Sequence, residues 1–339
     1  MGLRFFKRIR IAPGLSLNMS KSGPSISFGP RGMKYTVGPR GTRQTFGLPG
    51  TGLSYTTTNA WGKRGQPSRV PSGTSVPSSL DLGFLQRIVT PPEEEQLVAG
   101  LKQYLSGQNI EALNTFRSCI TLQDAVFLSG FLALGQGFHA EAEKAFLQCL
   151  ASVSTLGRII QKYIQGFHLS LRITEYVDAP IDVDSRGVNL ALAETHQTQG
   201  NFDRAIQIVK NLWNANPTDL VVCLSLSDLI VANPASSRQD LENVVKLITG
   251  VVNDAPIHAN LLYLRGAAMY RIQLADAATK QFSELLRKKK DRPEALLRQI
   301  RYFRGRLYEN AGQSTLARKD YQLIYAEDPS YKDVASRVR

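Results

Sequence analysis

The sequence reads as an α+β protein in separate segments: a small N-terminal antiparallel β-sheet domain over residues 1–55, a flexible Ser/Pro/Gly-rich linker over residues 56–92, and an all-α solenoid of helix pairs over residues 93–339. Three observations carry this division. Apolar residues alternate with period two before residue 55 and recur with helical spacing after residue 92. Between those stretches neither period survives. The charge is divided the same way: residues 1–80 hold twelve Lys or Arg and no Asp or Glu, Asp81 being the first acid. The whole chain carries 41 basic and 28 acidic residues, so residues 81–339 are nearly neutral at 29 against 28.

The N-terminal stretch is punctuated by turns at a nine-residue step, Gly29-Pro-Arg-Gly32, Gly38-Pro-Arg-Gly41 and Gly47-Leu-Pro-Gly50. The closing glycines accept positive φ, so each is a reversal between short strands. Between the turns Ile26, Phe28, Met33, Tyr35, Val37, Gln44, Phe46, Leu53 and Tyr55 share one face, and Ser25, Ser27, Lys34, Thr36, Arg43, Thr45 and Ser54 the other. Leu15, Leu17 and Met19 alternate likewise with Ser16, Asn18 and Ser20. The result is a sheet with a greasy side and a hydroxyl-rich basic side. Its aromatics share a face with aliphatics, which favours core over a base-stacking platform. The turns lack nucleotide-loop spacing and open no helix, so they are read as hairpins, not phosphate cradles.

An 80-residue stretch without a carboxylate points to an anionic target: nucleic acid, an anionic membrane surface, or an acidic protein face. Arg4, Lys7, Arg8, Arg10, Lys21, Arg31, Lys34, Arg40 and Arg43 are the candidate anion-binding residues. The run from Gly14 through Gly32, together with Gly47-Leu-Pro-Gly-Thr-Gly-Leu-Ser-Tyr55, resembles the bacterial domain of unknown function 4236. That resemblance implies a bacterial source and an accessory module set before other domains, and it brings no activity with it.

The linker is too poor in apolar residues to offset its ordering entropy. Thr90-Pro-Pro-Glu-Glu-Glu then opens the first helix, with prolines at its start and acids in its first turn. A small residue followed four later by a large apolar one recurs in second helices: Ala112 and Phe116, Ala142 and Phe146, Ala205 and Val209, Ala278 and Phe282, Ala317 and Tyr321. Twelve residues before four of these alanines stands Gly130, Ala193, Gly266 or Gly305, a small pair that lets two helices approach. Prolines close the units at Pro217, Pro256, Pro293 and Pro329. This pattern resembles the tetratricopeptide repeat. About six repeats are expected, that of residues 218–255 divergent.

The resemblance implies a concave groove lined by first helices. By that register the candidate groove residues are Phe127, Phe131, Leu190, Glu194, Gln197, Tyr263, Tyr270, Arg271, Tyr302, Arg306 and Glu309. Each is equally open to reading as inter-repeat packing. The Lys and Asn constellation by which chaperone-tail members of the family clamp a carboxylate is not matched. Helical periodicity fails between Phe167 and Arg186, where His168-Leu-Ser-Leu-Arg-Ile-Thr alternates like a strand and Glu175, Asp178, Asp182 and Asp184 follow. Residues 168–185 are either an inserted β-hairpin, whose acids could receive the basic N-terminal module, or a long loop.

No recognisable catalytic arrangement emerges. His139, His168, His196 and His258 are scattered, and Cys119, Cys149 and Cys223 are unclustered among apolar residues. With no secretory signal and no apolar run long enough to span a bilayer, a cytoplasmic protein, at most peripheral to a membrane, is expected. The functional expectation is a non-enzymatic adaptor without cofactor, metal or small-molecule substrate, binding a protein through the repeat groove and docking through its basic module. A nucleic-acid-binding protein and a self-assembling structural protein are the alternatives.

Overall fold

In a computed structural model of the chain the described residues are Leu80 and residues 90–338, together with the backbone of six strands within residues 6–60. Those strands are β1 (Phe6–Ala12), β2 (Leu15–Ser20), β3 (Gly23–Phe28), β4 (Met33–Gly38), β5 (Gly41–Gly47) and β6 (Ser54–Ala60), and each pairs antiparallel with the next. The register sets Ile26 opposite Val37, Phe28 opposite Tyr35 and Met33 opposite Phe46. β6 continues past residue 55, into the stretch read as linker. The rest of that linker up to residue 89 lies outside the described residues, apart from Leu80, which is fully buried in the core of the helical array.

The remainder is mostly helical. Twelve helices form six antiparallel pairs: α1 (Pro92–Leu105) with α2 (Asn109–Arg117), α3 (Gln123–Gly135) with α4 (His139–Ala151), and, after an insertion, α6 (Ser185–Thr198) with α7 (Phe202–Ala215). The series continues with α8 (Leu220–Ala232) and α9 (Arg238–Leu247), α10 (Pro256–Arg271) and α11 (Ala275–Leu285), and α12 (Glu294–Asn310) and α13 (Ser314–Glu327). A short α14 (Val334–Arg337) caps the stack. The insertion holds α5 (Arg158–Tyr163) and a two-stranded antiparallel sheet of β7 (Leu169–Thr174) and β8 (Val177–Ile181).

Five of the turns inside a pair share one construction. A residue at positive φ follows the first helix, and the next residue donates its N–H five residues back: Gln108 to Gln103 O at 2.9 Å, Phe138 to Ala133 O at 2.8 Å, Asn201 to His196 O at 2.8 Å, Leu274 to Met269 O at 2.9 Å and Gln313 to Tyr308 O at 2.8 Å. Glycine fills the left-handed position four times, and Gln273 takes it at φ 66° in the fifth pair.

The pairs close on a small-against-large contact. A Cβ added at Gly100 would lie 2.4 Å from Phe116, at Gly266 2.4 Å from Phe282, at Gly305 2.7 Å from Tyr321, and at Gly130 2.8 Å from Ala145 and 3.0 Å from Phe146. Gly100 joins the series of small residues identified in the sequence. Where the first helix carries Ala193 instead, the second offers the smaller Val209, so volume is conserved across the contact. All three cysteines are buried free thiols.

Residues 152–184 separate α4 from α6, yet the two helices pack directly and the stack runs on unbroken. The insertion is tied down at its start. The buried Asp124 carboxylate of α3 accepts the backbone N–H groups of Gly157 at 2.6 Å, Ile159 at 2.9 Å and Ile160 at 2.9 Å, which fixes the N-terminus of α5.

Candidate groove and its inserted hairpin

β7 and β8 bury Leu169, Leu171, Ile173, Ala179 and Ile181 and lie against first helices, β7 on α8 and β8 on α10. The hairpin therefore sits on the concave face. Its turn is fixed by Thr174, whose Oγ1 accepts the Tyr176 N–H at 3.2 Å and the Asn260 side-chain amide of α10 at 3.1 Å. Tyr176 then meets Tyr263 edge-on, ring centroids 5.9 Å apart.

Behind this turn lies a cavity of about 450 Å³. Glu175 and Tyr176 form its hairpin wall, Gln197 comes from α6, and Asp228, Val231 and Ala232 from α8. Tyr263, Leu264, Ala267, Tyr270 and Arg271 of α10 and Gln299 and Phe303 of α12 complete it. The aromatic rings form a connected wall, with Phe303 5.4 Å from Tyr270 and 6.2 Å from Tyr263.

The cavity is acidic. Asp228 accepts the Gln197 side-chain amide at 3.2 Å, and desolvation, with the nearby Glu175 charge, pushes its carboxyl up to about 6. Glu194, one turn before Gln197 on α6, is pushed up to about 7 by desolvation and by Asp228, against a smaller opposing effect of Arg172. Arg172 itself pairs with Asp178 at 2.6 Å. Arg271 is also committed: its guanidinium donates to the carbonyls of Val231 at 2.8 Å, Asn233 at 2.9 Å and Pro234 at 3.2 Å, capping the C-terminus of α8.

The groove residues chosen from sequence separate into distinct environments. Gln197, Tyr263, Tyr270 and Arg271 line the cavity, with Glu194 beside them. Phe127 and Leu190 are fully enclosed, Phe127 packing on Phe146 at 5.8 Å between ring centroids, so neither offers surface to a partner. Phe131 is half-buried against the core. Tyr302 and Glu309 are engaged by the C-terminal segment, Tyr302 donating to Asp333 at 2.8 Å and Arg337 bonding Glu309, while Arg306 meets Glu309 at 3.5 Å on the same helix. Lys332 places its ammonium 4.5 Å from the Tyr302 ring centroid and donates to Gln299 at 2.6 Å.

Of the hairpin acids, Asp178 pairs with Arg172, Asp184 caps α6 by accepting the Gly187 N–H at 2.7 Å, Asp182 is exposed away from the cavity lining, and Glu175 stands at the cavity. Sequence reasoning passed over Asp228, Gln299, Phe303 and Tyr176. Asp228 had a signal, as the sole charged residue in the otherwise apolar helix Leu220–Ala232. The candidate anion-binding residues, from Arg4 to Arg43, have side chains outside the described residues. Among the described residues no His, Cys, Asp and Glu side chains converge as a metal site requires, and no helix is long and apolar enough to cross a membrane.

Stacked helix pairs with a lined concave face give this chain a tetratricopeptide-repeat fold. Its N-terminal residues 3–56 match the family described as protein of unknown function DUF4236. The helical array is similar to the N-terminal domain of the EccA1 ATPase from the ESX-1 secretion system of Mycobacterium tuberculosis, at 14% identity over 73% of this chain and 88% of that one, with a TM-score of 0.51. A thermophilic tetratricopeptide-repeat protein of Thermus thermophilus matches at 19% identity over 64% of this chain and 96% of its own, with a TM-score of 0.41. At such identities the likeness is one of fold. No curated protein matches the sequence.

Proposed function

We propose that this chain is a non-enzymatic scaffold that holds an extended segment of a protein partner along the concave face of its repeats, at the cavity between α6, α8, α10 and α12. The observation that supports this reading is the cavity itself: about 450 Å³ of concave space walled by aromatic rings and a few polar groups, the composition of a recognition pocket. The array is nearly neutral, so its selectivity comes from shape and specific side chains. Residues 1–55, as a separate small basic sheet domain, dock the assembly on an anionic surface or a second partner.

A photo-crosslinking amino acid at Ala232, exposed at the cavity rim, tests the groove against the same group at Gln207, exposed on α7. Crosslinking to one protein from Ala232 and not from Gln207 is expected. Equal labelling from both positions would refute the groove as the grip. The absence of acids among residues 1–80 also favours a second reading, nucleic-acid binding by that segment. It requires salt-sensitive retardation of DNA or RNA that is lost on deleting residues 1–80.

A further inference from the structure

Resting on the groove-binding reading above, we propose that the cavity recognises a lysine or arginine side chain presented by the extended segment of the protein partner. Two independent features of the cavity converge on a cation. The first is uncompensated negative charge. Among the described residues neither Glu194 nor Asp228 forms an ion pair, and the only hydrogen bond Asp228 takes is from the Gln197 amide. The cations within reach are committed elsewhere, Arg172 to Asp178, Arg271 to the carbonyls ending α8, and Lys332 to Gln299 and the Tyr302 ring. Two neighbouring desolvated carboxylates are costly to ionise, and an entering positive charge relieves both.

The second feature is the aromatic wall. Tyr176, Tyr263, Tyr270 and Phe303 line the cavity together with Asp228 and Glu175, and the faces of such rings attract cations. The protein already uses this wall in that way one step further along the groove. Lys332 sets its ammonium 4.5 Å from the Tyr302 ring centroid, 5.3 Å from Tyr331 and 5.6 Å from Phe303, bonded to Gln299 and within the field of Glu175. Phe303 and Gln299 belong to both places, so the cavity repeats the surroundings of a lysine that is present and adds the Asp228 carboxylate, with Glu194 beside it. A metal ion fits less well, since no His, Cys, Asp and Glu side chains converge as its ligands among the described residues. Ala232 is exposed at the rim, so the cavity opens along the groove and admits a side chain carried on a strand of polypeptide.

The groups facing the two acids also set a pH dependence. Arg172 and Glu175 come from the hairpin, Tyr263, Tyr270 and Arg271 from α10, and Tyr331 and Lys332 from the C-terminal segment. Burial holds Glu194 and Asp228 above the ordinary carboxylate range, so both ionise as pH rises through about 6 and about 7. Binding of the basic side chain strengthens as pH rises.

A positional library of nine-residue peptides decides the matter, blocked at both ends, with Lys, Arg, norleucine, Leu or Glu fixed at the centre and mixed residues elsewhere. It is panned on the full-length protein, on the Glu194→Gln/Asp228→Asn double variant and on Ala232→Trp, which fills the rim from an exposed position. Lys- and Arg-centred pools should be retained at least about fivefold over the norleucine and Glu pools, a ratio set by the strength of a partly desolvated cation–aromatic contact. That preference should grow from pH 6 to pH 8 and vanish in both variants, whose folding is checked by circular dichroism. Undiminished Lys and Arg preference in the double variant would overturn the proposal. Retention of Leu- or Glu-centred pools that Ala232→Trp abolishes would overturn the cation chemistry while leaving the groove reading in place. If no pool is held better by the full-length protein than by Ala232→Trp, both fall.

Discussion

Gly266→Ala tests whether the repeats are held by the fit of a bare helix backbone against an aromatic ring. A methyl group at Gly266 would sit 2.4 Å from Cε1, 2.9 Å from Cζ and 3.0 Å from Cδ1 of Phe282. Comfortable carbon contacts are about 3.5–4.0 Å, so the ring must retreat by roughly 1 Å. It has nowhere to go, being fully buried and set 6.1 Å from Phe303 and 6.3 Å from Tyr263 between ring centroids. Overpacking of this kind costs about 1–3 kcal/mol, against a gain of about 1 kcal/mol from replacing a mid-helix glycine, so a net loss of up to roughly 2 kcal/mol is expected. At the matching positions of the third pair the protein carries Ala193 and the smaller Val209, both buried. On a Phe282→Val background, itself destabilised by a few kcal/mol (~2–3), Gly266→Ala should therefore reverse sign and stabilise by about 0.5–1 kcal/mol. Urea unfolding of the four proteins gives the cycle directly. Stabilisation by Gly266→Ala in the parent, or additivity within about 0.5 kcal/mol, would refute the close-approach account.

Two further outcomes follow from the same geometry. Gln273 holds φ 66° where four other repeats use glycine, so Gln273→Gly should raise stability by about 0.5–1 kcal/mol, read as a higher urea midpoint with an unchanged slope. The cavity acids give a pH signature in the absence of a partner. The folded carboxyls of Glu194 and Asp228 lie above their ordinary range, at about 7 and about 6, so the folded state binds protons more tightly than the unfolded chain. Their contribution is full below the ordinary carboxylate range and is lost as pH rises through 6 and 7. The parent's urea midpoint should fall from pH 5 to pH 8 more steeply than that of the Glu194→Gln/Asp228→Asn variant, and parallel profiles would refute the assignment.

The repeat architecture was legible because its determinants are local and periodic. Ala278 and Phe282 stand one turn apart on one helix face, Gly266 lies at a fixed distance upstream, and a glycine or its substitute ends five of the six first helices. The fourth pair was harder to read because α8 is apolar on all sides, and a helix buried all round has no amphipathic stripe to detect. The cavity was only partly legible for a different reason. The register places Gln197, Tyr263, Tyr270 and Arg271 on first helices, but it says nothing about what crosses the groove. Glu175 and Tyr176 reach the site only because Leu169, Leu171 and Ile173 bury their face of the hairpin on the array, a long-range contact with no local trace. The same limit applies to Tyr302 and Glu309, which the register assigns to open groove and the C-terminal segment engages.

The hairpin changes what kind of groove this is. A bare tetratricopeptide array presents a broad concave surface, which a nearly neutral chain can use only through shape. Here an insertion between α4 and α6 leaves the stacking intact while its turn is laid across the first helices and pinned by Asn260 through Thr174. It narrows one section of that surface into a pocket, bringing Tyr176 against Tyr263 and Glu175 toward Asp228. Because the hairpin's apolar face is buried on α8 and α10, it is ordered by its own packing before any partner arrives. A preformed wall lowers the ordering cost of binding. If the groove holds a polypeptide as proposed, its specificity resides where the insertion and the repeats meet.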